Sequence, residues 1–172
     1  MATADIAEKT GPHLSLRELT TLNATRKALA VARKKPDAII LAADTLVSLE
    51  GAIIGKPANI KQARAFLRRL SGRVHEVCTA VFITGPGGRF ISFTEISRVE
   101  FRRLTDAAID VYLAKIHPLD KAGAYAAQGT GGEIIAGIEG SVTNVIGLPM
   151  EPTSETLKAF GVKALRPPPL RA

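Results

Sequence analysis

The chain has one cysteine, Cys78, and no tryptophan, with only two tyrosines and two methionines among its 172 residues. A lone thiol cannot close an internal disulfide, and no Cys/His pairs stand at zinc-finger spacing, so packing alone must hold the fold. Aromatic residues make up 5% of the chain and do not interleave with the basic ones. The stacking platform of a single-strand nucleic-acid binder is therefore missing. No stretch approaches the ~20 apolar residues of a membrane helix, and the charged opening MATADIAEK lacks the apolar run of a secretory signal. A cytoplasmic protein with neither a membrane nor a nucleic-acid partner is expected.

What is present describes one ordinary α/β domain. Hydrophobic residues supply 46% and charged residues 23% of an 18.2 kDa chain, enough to build a core. Lys and Arg number 23 against 16 Asp and Glu, a net charge of +7, which favours an anionic partner without choosing its kind. Residues 1–165 read as a single domain, and the basic, proline-rich tail 166–172 as disordered.

Local signals place the elements. Ser15 with Glu18 forms a capping box that opens a helix of roughly five turns, ending in basic residues before Pro36. The apolar run AIILAAD reads as a strand buried on both faces, followed by TLVSLEGAII with a turn at Glu50-Gly51. Asn59 and Gln62 open a second helix that Ser71-Gly72 stops. Residues 73–102 alternate as a long hairpin about Gly85-Pro86-Gly87-Gly88. Thr105 caps a third helix, and LDKAGAYAAQGTGGE follows as a small-residue loop crowded with polar groups. A strand EIIAGI, a short segment SVTNVIGLP and a helix from Pro152 to Phe160 complete the order.

Several side chains have chemistry to offer. Asp44 stands where the apolar run ends, the place at which open α/β sheets bind ligands, and its carboxylate suits a divalent cation or a proton taken from water. Capping a turn is the plainer role. Thr45 beside it either touches a ligand or is simply a β-branched strand residue. Gly55 and Pro57 flank Lys56 so that its ammonium is presentable to a phosphate, and Lys27 sits between apolar helix positions, reaching out from a partly buried face or snorkelling to water. Asp120 and Lys121, with Gln128 beyond them, combine a metal ligand, a charge clamp and an amide able to read a base edge; a surface ion pair is the simpler reading. His75 and Cys78 read as buried structural residues. The glycine clusters fit neither a P-loop nor GxGxxG after a strand.

Taken in order, the segments NATRKA (23–28), ILAADT (40–45), GKP (55–57), LSGRVHEV (70–77), LDKAGAY (119–125), QG (128–129), GS (140–141) and NVIGLP (144–149) resemble the Maf family of nucleoside triphosphate pyrophosphatases. The resemblance covers nearly the whole chain. It implies an elongated, two-lobed α/β fold in which a mixed sheet is flanked by helices, related to the inosine triphosphatases, with the nucleotide between the lobes. Hydrolysis of a nucleoside triphosphate to monophosphate and pyrophosphate in a house-cleaning role, with a divalent metal cation (Mg²⁺ or Mn²⁺) as cofactor, is implied too. A homodimer is suggested. By the same resemblance Asp44 is the catalytic carboxylate and a metal ligand, Asp120 a second metal ligand, and Lys27, Lys56 and Lys121 surround the triphosphate. Thr45 and Gln128 mark the branch acting on dTTP and UTP. The branch that prefers 7-methyl-GTP has Gln after the Asp, Glu in the later loop and a His-Cys pair in place of Asp120-Lys121.

Two departures stand beside these matches. Family members open with a strand and a Ser-x-Ser-Pro-Arg-Arg turn entering a helix; residue 1 of this sequence falls well inside that pattern, and the pairs Arg68-Arg69 and Arg102-Arg103 lie elsewhere. That leaves a second reading, a catalytically impaired nucleotide-binding or partner-binding remnant. Ala126 replaces the usual glycine before Gln128 and is expected to stiffen the loop.

Overall fold

The computed structural model describes residues 14–163. The 166–172 tail and most of the first fourteen residues, for which a loop was expected, lie outside them.

Helix α1 (Leu16–Ala32) begins as its cap signals require: Ser15 Oγ accepts from the Glu18 amide at 3.3 Å, while Glu18 Oε2 accepts from the Ser15 amide at 2.8 Å. Strand β1 (Ile40–Leu49) turns at Glu50-Gly51 into the short β2 (Ala52–Ile54). Glycine at 51 suits its φ of +80°, as the turn demands. Helix α2 (Ile60–Leu70) is capped by Asn59, and then β3 (Val74–Thr84) and β4 (Phe90–Phe101) make the expected hairpin. At roughly 3.3 Å per residue these strands run for about 35 Å. Helix α3 (Asp106–Lys115) starts at the Thr105 cap. The polar loop winds through three short 3₁₀ turns between Pro118 and Ile134 before β5 (Ile135–Glu139), the short α4 (Val142–Ile146) and α5 (Met150–Ala159).

The strands form one sheet in the order β2-β1-β3-β4-β5, flanked by helices, as the α/β reading expects. All four pairings among the described residues are antiparallel, where a mixed sheet was expected. The reason lies in the connections: two pairs are tight hairpins, and α2 and the α3 segment each return the chain antiparallel to its neighbour.

Two apolar clusters occupy opposite faces. On one face β1, β3 and β4 present Val47, Leu49, Val77, Val99 and Phe101 to Ala63, Leu67 and Leu70 of α2 and to Ile109, Tyr112 and Leu113 of α3. On the other, Ala42, Ala80 and Phe82 meet Ala24 and Ala28 of α1. Alternation along each strand sends neighbouring residues to these two faces. The amphipathic pattern of α2, with Ala63, Leu67 and Leu70 buried and Arg68 and Arg69 outside, follows from the same rule at helical period. No helix among the described residues is long and apolar enough to cross a membrane.

Two expectations change here. Strand β1 does not end at Asp44; it continues through Thr45 to Leu49, so Asp44 lies within the strand. Residues 40–43 are also only half-buried rather than covered on both faces. β2 pairs only with residues 47–49 of β1, so residues 40–46 have β3 on one side and no strand among the described residues on the other.

Candidate active site

That open edge is where the site forms. A cleft of about 390 Å³ lies along it and is lined by Asp44, Thr45, Lys27, Lys56, Asp120, Lys121 and Gln128, among others. The seven side chains proposed from the sequence as site residues therefore line one cavity, while His75 and Cys78 do not. Because Asp44 and Thr45 are consecutive in a strand, they leave it on opposite faces, and the cleft takes in both.

On the α1 side, Asp44 is 4% exposed, and its partners include two side chains one helical turn apart. Lys27 Nζ lies 2.5 Å from Oδ1, and Asn23 Nδ2 donates to Oδ2 at 3.3 Å. Positions 23 and 27 share a helix face, which is why one carboxylate engages both. Asp44 lies within β1 rather than at a turn, and Lys27 is ion-paired with it.

On the other face, Thr45 Oγ1 lies 2.9 Å from Thr79 Oγ1, which donates to the Asn144 carbonyl at 2.9 Å. Asn144 is fully buried, and its amide donates to Val77 O at 3.1 Å and to Ser97 Oγ at 2.9 Å. Ser97 in turn donates to Ser141 O at 3.0 Å, and Ser141 caps α4 by accepting from the Asn144 amide N–H. Gly140, at φ +103°, comes so close that a Cβ there would stand 2.9 Å from Ser97 Oγ. The Gly140-Ser141 and Asn144-containing segments are thus the seat that holds α4 against β3 and β4.

The loop 118–134 closes the remaining side. Gly123 N–H donates to Gly55 O at 3.1 Å, tying the Asp120-Lys121 turn to the turn carrying Lys56. Lys121 Nζ bonds Asp120 Oδ1 at 2.8 Å and, as the largest cause, holds that carboxyl below its ordinary range. Tyr125, also in the lining, meets His75 Nε2 through its hydroxyl at 2.9 Å, and Phe101 packs edge-on against both rings. Burial drives the His75 pKa down to about 4 and that of Tyr125 up, so both are neutral at ordinary pH. Tyr112 accepts from the Ala126 amide at 3.1 Å and donates to Gly131 O at 3.0 Å, bracing the loop on either side of Gln128. A Cβ at Gly131 would stand 2.5 Å from that of Ala126.

His75 and Cys78 are buried structural residues, as the sequence suggested. Asn23, Thr79, Asn144 and Tyr125 were not singled out. Only Asn23 carried a local signal, its four-residue spacing from Lys27; Thr79 and Asn144 meet across 65 positions of sequence.

Among the described residues, no group of three or more His, Cys, Asp or Glu is placed to hold a metal ion. Two carboxylates, Asp44 and Asp120, line the cleft. That donor set suits Mg²⁺ or Mn²⁺, hard cations commonly bound through one or two carboxylates together with substrate phosphates.

The chain is similar to several known proteins. A family model described as "Maf-like protein" matches residues 1–160. A dTTP/UTP pyrophosphatase of Akkermansia muciniphila is 45% identical over 148 residues, which cover 86% of this chain and 78% of that protein. Another, of Bacillus velezensis, is 41% identical over 157 residues, covering 91% of this chain and 82% of that protein. A solved structure of a nucleoside-triphosphatase (dITP/XTP pyrophosphatase) from Mycobacterium abscessus aligns over 93% of this chain and 77% of its own, with a TM-score of 0.43 and 13% identity.

Proposed function

The chain belongs to the Maf-like family, and from that premise we propose that it hydrolyses dTTP and UTP to the monophosphate and pyrophosphate. One observation carries the reading: a buried carboxylate, Asp44, shares a single cleft with three lysines and with the hydroxyl and amide of Thr45 and Gln128. The dTTP/UTP names of relatives that match over most of the chain support the same substrates.

In the proposed reaction water attacks the α-phosphorus, its bond to the bridging oxygen breaks, and pyrophosphate leaves. Asp44 takes the proton of the attacking water or serves as a metal ligand, with Asn23 and Lys27 orienting its two oxygens. Lys56 and Lys121 face the triphosphate and stabilise the charge that grows on the leaving group. Asp44 and Asp120 would hold the divalent cation, whose chemistry is to neutralise phosphate oxygens. Gln128 satisfies both an acceptor and a donor on a uracil or thymine edge.

The remnant reading is not favoured. The groups that the reaction requires are gathered in one cleft, and relatives at 39–45% identity are named as pyrophosphatases. The test is the purified full chain with dTTP, UTP, CTP, ATP and 7-methyl-GTP in Mg²⁺ or Mn²⁺, scoring pyrophosphate separately from phosphate. Pyrophosphate from dTTP and UTP is expected. Release of single phosphate, or equal turnover of 7-methyl-GTP, overturns the assignment.

A further inference from the structure

The hydrogen-bond chain behind Thr45 has a direction. The Asn144 carbonyl can only accept, so the single hydroxyl hydrogen of Thr79 is spent on it at 2.9 Å. Thr79 Oγ1 must therefore accept from its other neighbour, and the Thr45 hydroxyl, 2.9 Å away, must donate to it. The far end of the chain is equally fixed. Asn144 spends its two amide hydrogens on Val77 O and on Ser97 Oγ, whose own hydrogen goes to Ser141 O, so neither the amide nor the backbone of Asn144 is free to turn. Thr79, Asn144 and Ser97 are each at most 1% exposed, so water does not compete for these bonds.

Thr45 lines the cleft with its hydrogen already committed inward, and only lone pairs remain for a ligand. The space beside the hydroxyl is kept by Gly147, where the nearest atom that an added Cβ would meet is Thr45 Oγ1 at 3.4 Å. Gln128 differs. It is exposed, and its side-chain amide makes no hydrogen bond within the described residues. By turning through half a rotation it presents either a donor or an acceptor, so it matches uracil and cytosine equally well.

We infer that Thr79 is a specificity-determining residue: by fixing Thr45 as an acceptor, it makes the cleft select a base that offers N3–H. This rests on the pyrimidine triphosphate reading above. The N3–H is the one donor on the pairing edge of uracil and thymine, whereas cytosine places an acceptor at N3 and would oppose lone pair to lone pair. Thr79 acts through Thr45 and needs no contact with substrate.

Binding and turnover are measured separately. The full chain is titrated in Mg²⁺ with non-hydrolysable α,β-methylene analogues of UTP, CTP and 3-deaza-UTP, the last replacing N3–H by C–H. The wild type is expected to bind the uridine analogue about tenfold or more tightly than either of the others. Thr79→Val releases the Thr45 hydrogen, and the uridine-to-cytidine ratio should fall close to one through weaker uridine and stronger cytidine binding; Thr79→Ser should retain the wild-type ratio. Equal wild-type binding of the uridine and 3-deazauridine analogues overturns the inference, as does a folded Thr79→Val that keeps the wild-type ratio. If Thr79→Val does not fold, the wild-type comparison of those two analogues decides alone. Intact base discrimination without pyrophosphate release from UTP would sink the hydrolase reading and leave this inference standing; turnover without discrimination would do the reverse.

Discussion

The two faces of the sheet are built differently. Against α2 and α3 lies a large cluster of aliphatic side chains with three aromatic rings, Phe101, Tyr112 and Tyr125. Against α1 the contact is mostly alanine, Ala24 and Ala28 on Ala80, with Phe82 beside them. Small side chains let a helix approach closely but bury little area, at about 25 cal/mol per Å². Polar groups fill out the α1 face: Thr20 and Asn23 are buried, Lys27 engages Asp44, and Arg17 donates to Thr94 at 2.7 Å. One face therefore supplies most of the stability and fixes the loop through Tyr112 and Tyr125. The other holds the charged pair on which the proposed chemistry depends.

The contrast can be broken at several points. Asp44→Asn, on the α1 face, should lower turnover of dTTP on the order of a thousandfold while the chain stays folded. Pyrophosphate release alongside far-UV circular dichroism checks it, and full turnover would sink the role given to Asp44. Leu67→Ala empties part of the large cluster, where Leu67 is fully buried, and should cost about 2–5 kcal/mol in denaturant unfolding. Its kcat should be close to wild type at temperatures where the variant is folded.

His75 sharpens the comparison through pH. Its folded pKa of about 4 lies below the ordinary histidine value of 6.5, so between these limits the unfolded chain binds a proton that the folded chain does not. Stability is thus fully present above pH 6.5 and is lost as pH falls toward 4. The loss amounts to at most about 3 kcal/mol, at 1.36 kcal/mol per pH unit. Chemical denaturation across that range should show the slope, and His75→Gln should remove its histidine share. The smallest effect is expected at the start of α1, where Ser15→Ala removes the cap and should cost about 1 kcal/mol in thermal unfolding.

Much of the fold was legible because its signals are short. The Ser15-Glu18 box, the Asn59 and Thr105 caps and the glycine-rich turn between β3 and β4 each act over a few residues, and the elements begin and end where those signals stand. Less legible was α4, five residues long, whose Ser141 cap serves a seat made with Ser97 and Val77. α5 begins at Met150, two residues before its expected start. The end of β1 was misplaced for a related reason. An aspartate after an apolar run reads as a terminus, but here Asp44 stays within the strand because β3 pairs with it along 40–48 and α1 supplies partners for its carboxylate.

By itself, then, the sequence determined most of the elements and offered the candidate acids and lysines, since residue type and short spacing carry that information; Thr45 and Gln128 came forward as a pair only through the family resemblance. Tertiary structure alone decided that the cleft lies beside residues 43–47 of β1, that Asp44 and Thr45 line it from opposite faces of the strand, and that the Thr45 hydroxyl meets Thr79. Those depend on strand register and on bonds between residues as far apart as Thr79 and Asn144. Such distant partners become neighbours only when the whole sheet has formed.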